Sequence, residues 1–187
     1  MTSHLTPAQL QTVLDEADLL KTPEQVEAAL DKLAADITER MKDSMPVVYS
    51  IMNGGLVVAG QLLTRLNFPL EQGYMHATRY RGEVTAQTEL QWQALPSVPM
   101  EGRSVLIIDD IFDEGYTLQA VTEACKAQGA TEVVTAVLVD KKHNRKAPGM
   151  SVDFAGLEVE DRYVFGYGMD YRGYWRNAPG IYAVKGL

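Results

Sequence analysis

The stretch 105–118, VLIIDDIFDEGYTL, decides the fold of this chain of 187 residues. Its aliphatic start has the character of a buried strand, but the run ends abruptly in acids, a glycine and a threonine. A core strand that simply turned back at the surface would not need so many charges in one place. The stretch therefore predicts a buried strand whose carboxyl end carries a functional loop.

Further apolar segments of the same kind alternate with helical patterns. Strands are predicted over 46–51, 73–80, 104–109 and 132–140, with helices over 53–66 and 117–128. Continuous apolar strands separated by helices are typical of a parallel sheet that is covered on both faces. We therefore predict an α/β protein with an open, doubly wound, mostly parallel sheet flanked by helices.

Two helical patterns, over 6–20 and 22–41, precede this sheet. Each opens with threonine and proline, which suit the cap and the first turn of a helix. We predict that residues 1–43 form an N-terminal helical extension that packs on the core or builds a subunit interface. Residues 44–187 would form the main part of what is a single domain overall.

Composition narrows the class of partner. The formal net charge is −8 and the isoelectric point is near 4.9, whereas nucleic acids and anionic membranes favour a basic face. The lone Cys125 cannot form an internal disulfide and fits a reducing compartment. No secretory leader or membrane-spanning apolar run is recognisable, so we expect a cytoplasmic protein that binds a small molecule.

The loop at 109–117 has the features of a phosphate site. Ligands of open α/β sheets lie beyond the carboxyl ends of the strands, where this loop is expected. Gly115 permits a tight turn, Thr117 offers a hydroxyl, and the next helix presents free amides to an anion. The alternative is that these are ordinary capping and loop residues.

The type of phosphate site is narrowed by what surrounds it. Neither the nucleotide-hydrolysing loop Gly-x-x-x-x-Gly-Lys-Ser/Thr nor a Gly-x-Gly-x-x-Gly dinucleotide motif is present. Two adjacent carboxylates instead precede the loop, and such a pair accepts hydrogen bonds from hydroxyl groups and attracts a hard cation. A phosphate next to these carboxylates indicates a phosphorylated sugar.

VLIIDDIFDEGYTL closely resembles the 5-phosphoribosyl 1-diphosphate motif of the type I phosphoribosyltransferases. From about residue 45 to 180 the chain is similar to the branch that acts on 6-oxopurines, the hypoxanthine-guanine phosphoribosyltransferases. This resemblance implies that Asp109 and Asp110 hold the ribose hydroxyls and that Asp113 is the general base near purine N7. It also implies a 5-phosphate loop made of Asp113, Glu114, Gly115, Tyr116 and Thr117.

The segment MNGG (52–55) matches the diphosphate loop of that family, which implies diphosphate binding by Asn53, Gly54 and Gly55. Many relatives have lysine where this chain has Asn53, so backbone amides would carry more of the binding. The alternative is a plain turn from strand to helix.

The segment TRYRGEV (78–84) resembles the start of the family's mobile lid, with Arg79 and Tyr80 as lid residues. The polar pattern over 82–102 fits a loop that orders on binding. The alternative for most of these residues is an exposed hairpin.

The base would be recognised by the C-terminal third. The resemblance implies that Lys141 donates to the 6-oxo group, although alone it would be read as one charge of a solvated basic loop. Tyr163 would stack on the purine and the Val164 backbone would read its edge. Asp170 would bind a second magnesium ion and Arg176 the diphosphate. The other aromatic residues of this segment are expected in the core: Tyr167, Tyr171, Tyr174 and Trp175.

The resemblance implies a magnesium-dependent transferase of purine salvage with a small hood. It would combine 5-phosphoribosyl 1-diphosphate with hypoxanthine or guanine to give IMP or GMP, and we expect a homodimer or homotetramer. Alternatives are a relative that uses xanthine or a pyrimidine, and a non-catalytic regulator of the same fold that senses nucleotides. His4, His76 and His143 show no metal-ligand spacing and receive no role.

Overall fold

The computed structural model describes residues 5–79 and 90–187. Its helices are α1 (Pro7–Glu16), α2 (Pro23–Met41), α3 (Gly55–Leu63) and α4 (Tyr116–Ala127). Its strands are β1 (Asp18–Lys21), β2 (Val47–Ile51), β3 (Glu71–Arg79), β4 (Leu90–Ala94), β5 (Ser104–Phe112), β6 (Glu132–Lys142), β7 (Phe154–Glu160), β8 (Val164–Phe165) and β9 (Ile181–Ala183).

The larger sheet has the strand order β4-β3-β2-β5-β6-β7. Every neighbouring pair is parallel except β3 and β4, which run antiparallel. The predicted strands correspond to β2, β3, β5 and β6, and the predicted open, mostly parallel sheet is confirmed. The edge strands β4 and β7 were not predicted, because neither has the continuous apolar pattern of the central strands.

Both faces of this sheet are covered, which explains the continuous apolar strands. Leu106 and Ile108 of β5 face α2 and α3, whereas Val105 and Ile107 face α4. The apolar stripe of α2 is at most 1% exposed and consists of Val26, Leu30, Leu33, Ile37 and Met41. Burial of one such side chain contributes about 1.5–3 kcal/mol, so α2 belongs to the main core.

The first helix is shorter than predicted. Thr6 and Thr22 both form capping boxes, as their positions before proline indicated. However, α1 ends at Glu16, and the rest of the segment predicted as helix, 6–20, contributes to strand β1. Pairing with β9 overrides the helical spacing of these residues, because local propensity is weaker than tertiary hydrogen bonding.

Strands β1, β9 and β8 form the smaller sheet, which corresponds to the expected hood. The N-terminal segment also supports the segment that follows β8. Trp175 Nε1 donates to the carbonyl of Leu10 at 2.9 Å, and the Tyr167 hydroxyl donates to Glu27 at 2.6 Å. Helices α1 and α2 therefore both contact the aromatic residues of the segment that follows β8.

The expected lid lies only partly within the described residues. Tyr80 and the stretch 80–89 lie outside them, as does the side chain of Arg79. Within the predicted loop 82–102, residues 90–94 form β4, which pairs antiparallel with β3. These residues fit the hairpin alternative.

Cys125 is buried in α4, and burial raises the pKa of its thiol to about 11. None of the helices over 5–79 and 90–187 combines the length and apolar character needed to cross a membrane.

Candidate active site

The carboxyl ends of β2 and β5 border a cleft of about 650 Å³. Strand β5 continues to Phe112, three residues beyond the predicted end at Asp109, so Asp110 also lies within the strand rather than in the loop. Among the residues that line the cleft are Asn53, Gly54, His76, Asp109, Asp110, Asp113, Glu114, Gly115, Tyr116, Thr117 and Arg176.

Asp109 and Asp110 form a carboxylate pair in which Asp109 is partly buried and Asp110 is buried. Asp110 is 8% exposed, and its backbone N–H donates to Asp109 Oδ1 at 3.0 Å. Burial raises the pKa of Asp109 well above its ordinary value, and repulsion from the Asp110 carboxylate raises it further. Burial also raises the pKa of Asp110. Such a pair gains from a ligand that brings hydroxyl donors or positive charge.

Gly115 shapes the loop that follows. Its φ of 84° lies in the left-handed region, and a Cβ atom there would come within 2.2 Å of the Phe112 ring. This turn starts α4 at Tyr116, so the first amides of that helix point to the cleft without a side-chain cap. The loop therefore presents helix amides at the position where the sequence predicts an anion site, and Thr117 is partly buried there.

A second loop braces this first one. Lys146 Nζ donates to the Phe112 carbonyl at 2.5 Å and lies 3.6 Å from the centre of the Phe112 ring. The Ala147 N–H donates to the Glu114 carbonyl at 2.7 Å. The segment after β6 thus fixes the backbone of the predicted phosphate loop, which the sequence did not reveal.

Asp113 receives two side-chain contacts from the carboxyl end of β6 and the residue that follows it. Lys141 Nζ lies 2.7 Å from its Oδ2 atom, and His143 Nε2 lies 2.7 Å from its Oδ1 atom. Burial alone would raise the pKa of Asp113, but these hydrogen bonds outweigh burial and hold it below its ordinary value. Asp113 is therefore kept as a carboxylate, and Lys141, predicted as a base ligand, pairs with it here.

The predicted diphosphate segment, residues 52–55, lies next to the carboxylate pair. A Cβ atom on Gly54 would lie 2.1 Å from Asp110 Oδ2, and one on Gly55 would lie 2.6 Å from the Ile108 carbonyl. Asn53 and Gly54 line the cleft, whereas Gly55 begins α3 and packs against β5. Both glycines let this turn approach β5 more closely than any other residue would allow.

Arg176 connects the cleft with Asp170. Its Nη2 atom lies 2.6 Å from Asp170 Oδ1, and its Nη1 atom lies 3.9 Å from Asp110 Oδ2 and donates to the Gly168 carbonyl at 2.6 Å. The other Asp170 oxygen accepts from the Gly173 N–H at 2.6 Å. Arg176 thus places a guanidinium close to the carboxylate pair, beside the predicted diphosphate position.

A smaller pocket of about 210 Å³ adjoins the cleft and shares Asp110 and Asp113 with it. The predicted base ligands line it: Lys141, Tyr163, Val164 and also Asp170. The Tyr163 ring is 42% exposed and rests edge-on against Tyr171, with centroids 5.7 Å apart. This exposure and the edge-on support from Tyr171 suit stacking of Tyr163 on a flat ring.

The core prediction for the remaining aromatic residues is wrong for one of them. Tyr167 is buried, but Tyr174 is 42% exposed, because the turn Tyr171–Tyr174 projects it away from the fold. Tyr171 and Trp175 are partly buried.

His143 was the main functional candidate that the sequence analysis missed. Its side chain is 2% exposed and contacts Asp113, although it shows no metal-ligand spacing. The available signal was its position just beyond Lys141, at the carboxyl end of a central strand. By contrast, the structure gathers Asn53, Gly54, Arg176 and the 109–117 residues in the cleft, as expected.

The residues present fit a hard cation that a substrate helps to bind. Within 5–79 and 90–187, no group of three or more metal-ligating side chains is close enough to hold an ion alone. Asp109 and Asp110 nevertheless supply carboxylate oxygens in the cleft, and Asp170 supplies them in the adjoining smaller pocket. Magnesium is commonly held in this way, by one or two carboxylates together with substrate phosphates and water.

Known proteins resemble the chain over most of its length. A family model for the phosphoribosyl transferase domain matches residues 16–172. The hypoxanthine-guanine phosphoribosyltransferase of Bacillus subtilis is 31% identical over 171 residues, which cover 91% of this chain and 94% of the relative. The hypoxanthine-guanine-xanthine phosphoribosyltransferase of Tritrichomonas foetus is 30% identical, over 89% and 91% of the two chains.

Solved structures give the same result. A hypoxanthine phosphoribosyltransferase from Staphylococcus aureus superposes with a TM-score of 0.87 at 27% identity, covering 93% of this chain and 95% of that one.

Proposed function

The chain belongs to the phosphoribosyl transferase family, and we propose that it transfers the 5-phosphoribosyl group from 5-phosphoribosyl 1-diphosphate to N9 of hypoxanthine or guanine. The products would be IMP or GMP and diphosphate, which makes the chain a transferase of purine salvage. Its relatives from Bacillus subtilis and Tritrichomonas foetus carry names for this activity and cover about nine tenths of the chain.

One observation supports this proposal most strongly. The acidic cleft with its phosphate loop and the smaller pocket with Lys141 and Tyr163 meet at Asp110 and Asp113. A sugar phosphate in the first and a flat base in the second would touch at the sugar carbon and the ring nitrogen that must bond. The geometry therefore suits group transfer between two substrates better than binding of one.

On the sugar side, the 5-phosphate would accept hydrogen bonds from the amides at the start of α4 and from Thr117. Asp109 and Asp110 would accept from the ribose hydroxyls, which adds donors to the backbone N–H groups that these carboxylates already accept from. As the bond from C1 to diphosphate breaks, positive charge develops on the ribose ring. The same carboxylates would stabilise that charge in a site with little water.

The leaving diphosphate needs positive charge and amide donors. Arg176 and the 53–55 turn would supply them, and Asn53 contributes an amide rather than a charge at its position. Bound magnesium would neutralise the phosphate oxygens, and the Asp170 carboxylate and the ribose-binding pair are the side chains suited to hold it. When diphosphate and magnesium are both bound, Arg176 would move from Asp170 to the diphosphate.

On the base side, Tyr163 would stack on the purine and the Val164 backbone would read its edge. Lys141 carries donors only, so it favours an oxo group over an amino group at position 6. As N9 forms its bond to C1, the proton at N7 would pass to the Asp113 carboxylate. Asp113 lines both the cleft and the smaller pocket, and it is paired with Lys141.

The test is an assay of the purified protein with 5-phosphoribosyl 1-diphosphate and magnesium, in which hypoxanthine, guanine, xanthine, adenine and uracil are offered separately. We expect nucleotide from the first two and none from adenine, because adenine has no 6-oxo group for Lys141. Turnover of adenine or uracil alone would overturn the base specificity. Binding of the sugar diphosphate without turnover of any base would favour the sensing regulator instead.

The expected homodimer or homotetramer is part of this proposal. Light scattering of the purified protein would measure the assembly mass, and a monomer at micromolar concentration would contradict it.

A further inference from the structure

His143 has both ring nitrogens engaged. Its Nδ1 atom accepts a hydrogen bond from the backbone N–H of Arg145 at 3.0 Å, and its Nε2 atom lies 2.7 Å from Asp113 Oδ1. A nitrogen that accepts an N–H has no proton of its own, so the proton of the neutral ring is on Nε2. His143 is therefore fixed as a donor to Asp113.

The two oxygens of Asp113 have partners with different freedom. Oδ2 is held by Lys141, which lines the smaller pocket and is the donor assigned to the 6-oxo group of the base. Oδ1 is held by His143, which is not among the described residues that line either cavity, and whose side chain is 2% exposed. A bound base can compete for Lys141 but cannot reach His143.

We propose that His143 is a positioning residue: it holds Oδ1 of Asp113 while Lys141 transfers from Oδ2 to the base, so that Oδ2 is free and aimed at the purine N–H. The role rests on the proposed function. Without His143, the departure of Lys141 would leave the Asp113 side chain free to rotate, and the proton acceptor would lose its fixed orientation at the moment of transfer.

The charges around Asp113 agree with these different roles of Lys141 and His143. When the base binds, the Lys141 cation moves from Oδ2 to the base, whereas the neutral His143 donor stays at Oδ1. The Asp113 carboxylate therefore becomes a better proton acceptor and keeps its position. Of the other charged groups near this pair, Arg145 and Asp161 are paired with each other. Asp110 and Asp170 line the smaller pocket, and Glu114 lines the cleft.

The test compares His143→Leu, which removes the donor, with His143→Gln, whose amide nitrogen can replace Nε2. In the leucine variant we expect kcat to fall about 10- to 100-fold through lost orientation, with a much smaller change in KM for the sugar diphosphate. The acid limb of the kcat profile should move up by about one pH unit, because a donor to the carboxylate is lost. His143→Gln should restore most of both.

Carboxyl-carbon NMR of the free protein gives a readout that needs no turnover. The Asp113 signal of His143→Leu should titrate at higher pH than that of the wild type. Asn144→Ala is the matched control, because Asn144 is the next residue and its side chain is exposed, and we expect neither shift in it. His143→Asn, which is too short to reach Oδ1, serves as a second donor-free variant if the leucine protein does not fold.

The outcomes distinguish failure of the proposed function from failure of the role of His143. Wild-type protein that makes no nucleotide would overturn the proposed function and this role with it. An active wild type whose acid limb and Asp113 titration are both unchanged in the donor-free variants would overturn the role of His143 alone. An equal loss of kcat in His143→Leu and His143→Gln without any pH shift would also overturn it, because that pattern indicates only packing.

Discussion

The carboxylates of one short segment, Asp109 and Asp110 on one side and Asp113 on the other, have opposite surroundings. Asp109 is partly buried and Asp110 is buried, Arg176 lies 3.9 Å from Asp110, and burial raises the pKa values of both carboxyl groups. Asp113 is partly exposed and paired with Lys141 and His143, and its pKa is lowered. The pair is incomplete without a ligand, whereas Asp113 is satisfied until a ligand removes one of its partners.

The difference assigns the two regions different kinds of task. A carboxylate pair whose pKa values are raised by burial favours the ligand that supplies hydroxyl groups and cations, so it suits binding of the sugar. A carboxylate that keeps one fixed donor and one exchangeable cation suits proton transfer. Replacing these residues should therefore affect different measured quantities.

The largest effect is expected for Asp113→Asn. An amide cannot accept the purine proton, so kcat should fall by about 10²- to 10⁴-fold, while binding of 5-phosphoribosyl 1-diphosphate changes little. Steady-state kinetics and calorimetric titration measure the two quantities. Asp161→Asn is the control, because Asp161 is an exposed carboxylate that pairs with Arg145 in the adjoining loop. Turnover by Asp113→Asn at the wild-type rate would remove the distinction between the two regions.

Asp109→Asn should have the opposite balance of effects. Loss of an acceptor for ribose hydroxyls should weaken binding of the sugar diphosphate about tenfold or more. Removal of one buried charge should raise the unfolding temperature of the free protein by about 2–4 °C. Scanning calorimetry measures the second effect. Asp153→Asn is the contrasting control, because Asp153 is paired with Arg40 and should stabilise the fold. A less stable Asp109→Asn would contradict our account of the pair.

Gly54→Ala tests the space around the pair. The backbone of Gly54 has helical angles that alanine accepts, but the new Cβ atom would meet the Asp110 carboxylate at 2.1 Å. We expect a loss of about 1–3 kcal/mol in the free energy of unfolding, together with weaker binding of the sugar diphosphate. Urea denaturation measures the loss.

Gly60→Ala is the matched control for this change, because Gly60 lies in the same helix with no atom near the new Cβ position. It should be neutral or slightly stabilising, since alanine favours a helix over glycine. Equal behaviour of the two variants would show that the turn tolerates a side chain beside Asp110.

The smallest effect is in the pH dependence of stability, where the two regions should differ in sign. The raised pKa of Asp109 contributes stability that is present at acid pH and lost as the pH rises through its folded pKa. The lowered pKa of Asp113 contributes stability that is present above its unfolded pKa, about 3.9, and lost as the pH falls. Thermal unfolding of the wild type and both asparagine variants from pH 3 to 8, without magnesium, measures these contributions. Shifts of the same sign would contradict the comparison.

The parts that the sequence predicts are those with a local cause. The four central strands, the capped helices and the acidic loop follow from apolar runs, threonine-proline pairs and Gly115. The parts that it misses depend on distant partners: β1 is a strand because β9 pairs with it, and His143 matters because Asp113 lies next to it in space. Within the site, residue types were found by motif, but their hydrogen-bond partners required the fold.

The pairing of β1 with β9 has a consequence for synthesis of the protein. A ribosome releases Asp18–Lys21 early and Ile181–Ala183 late, so the hood sheet cannot assemble until β9 has left the ribosome. The segment with Tyr163, Val164 and Arg176 leaves the ribosome only shortly before β9. A nascent chain that ends before this segment would therefore have the predicted phosphate loop but not the predicted base pocket, and the release of β9 would determine when the site becomes competent.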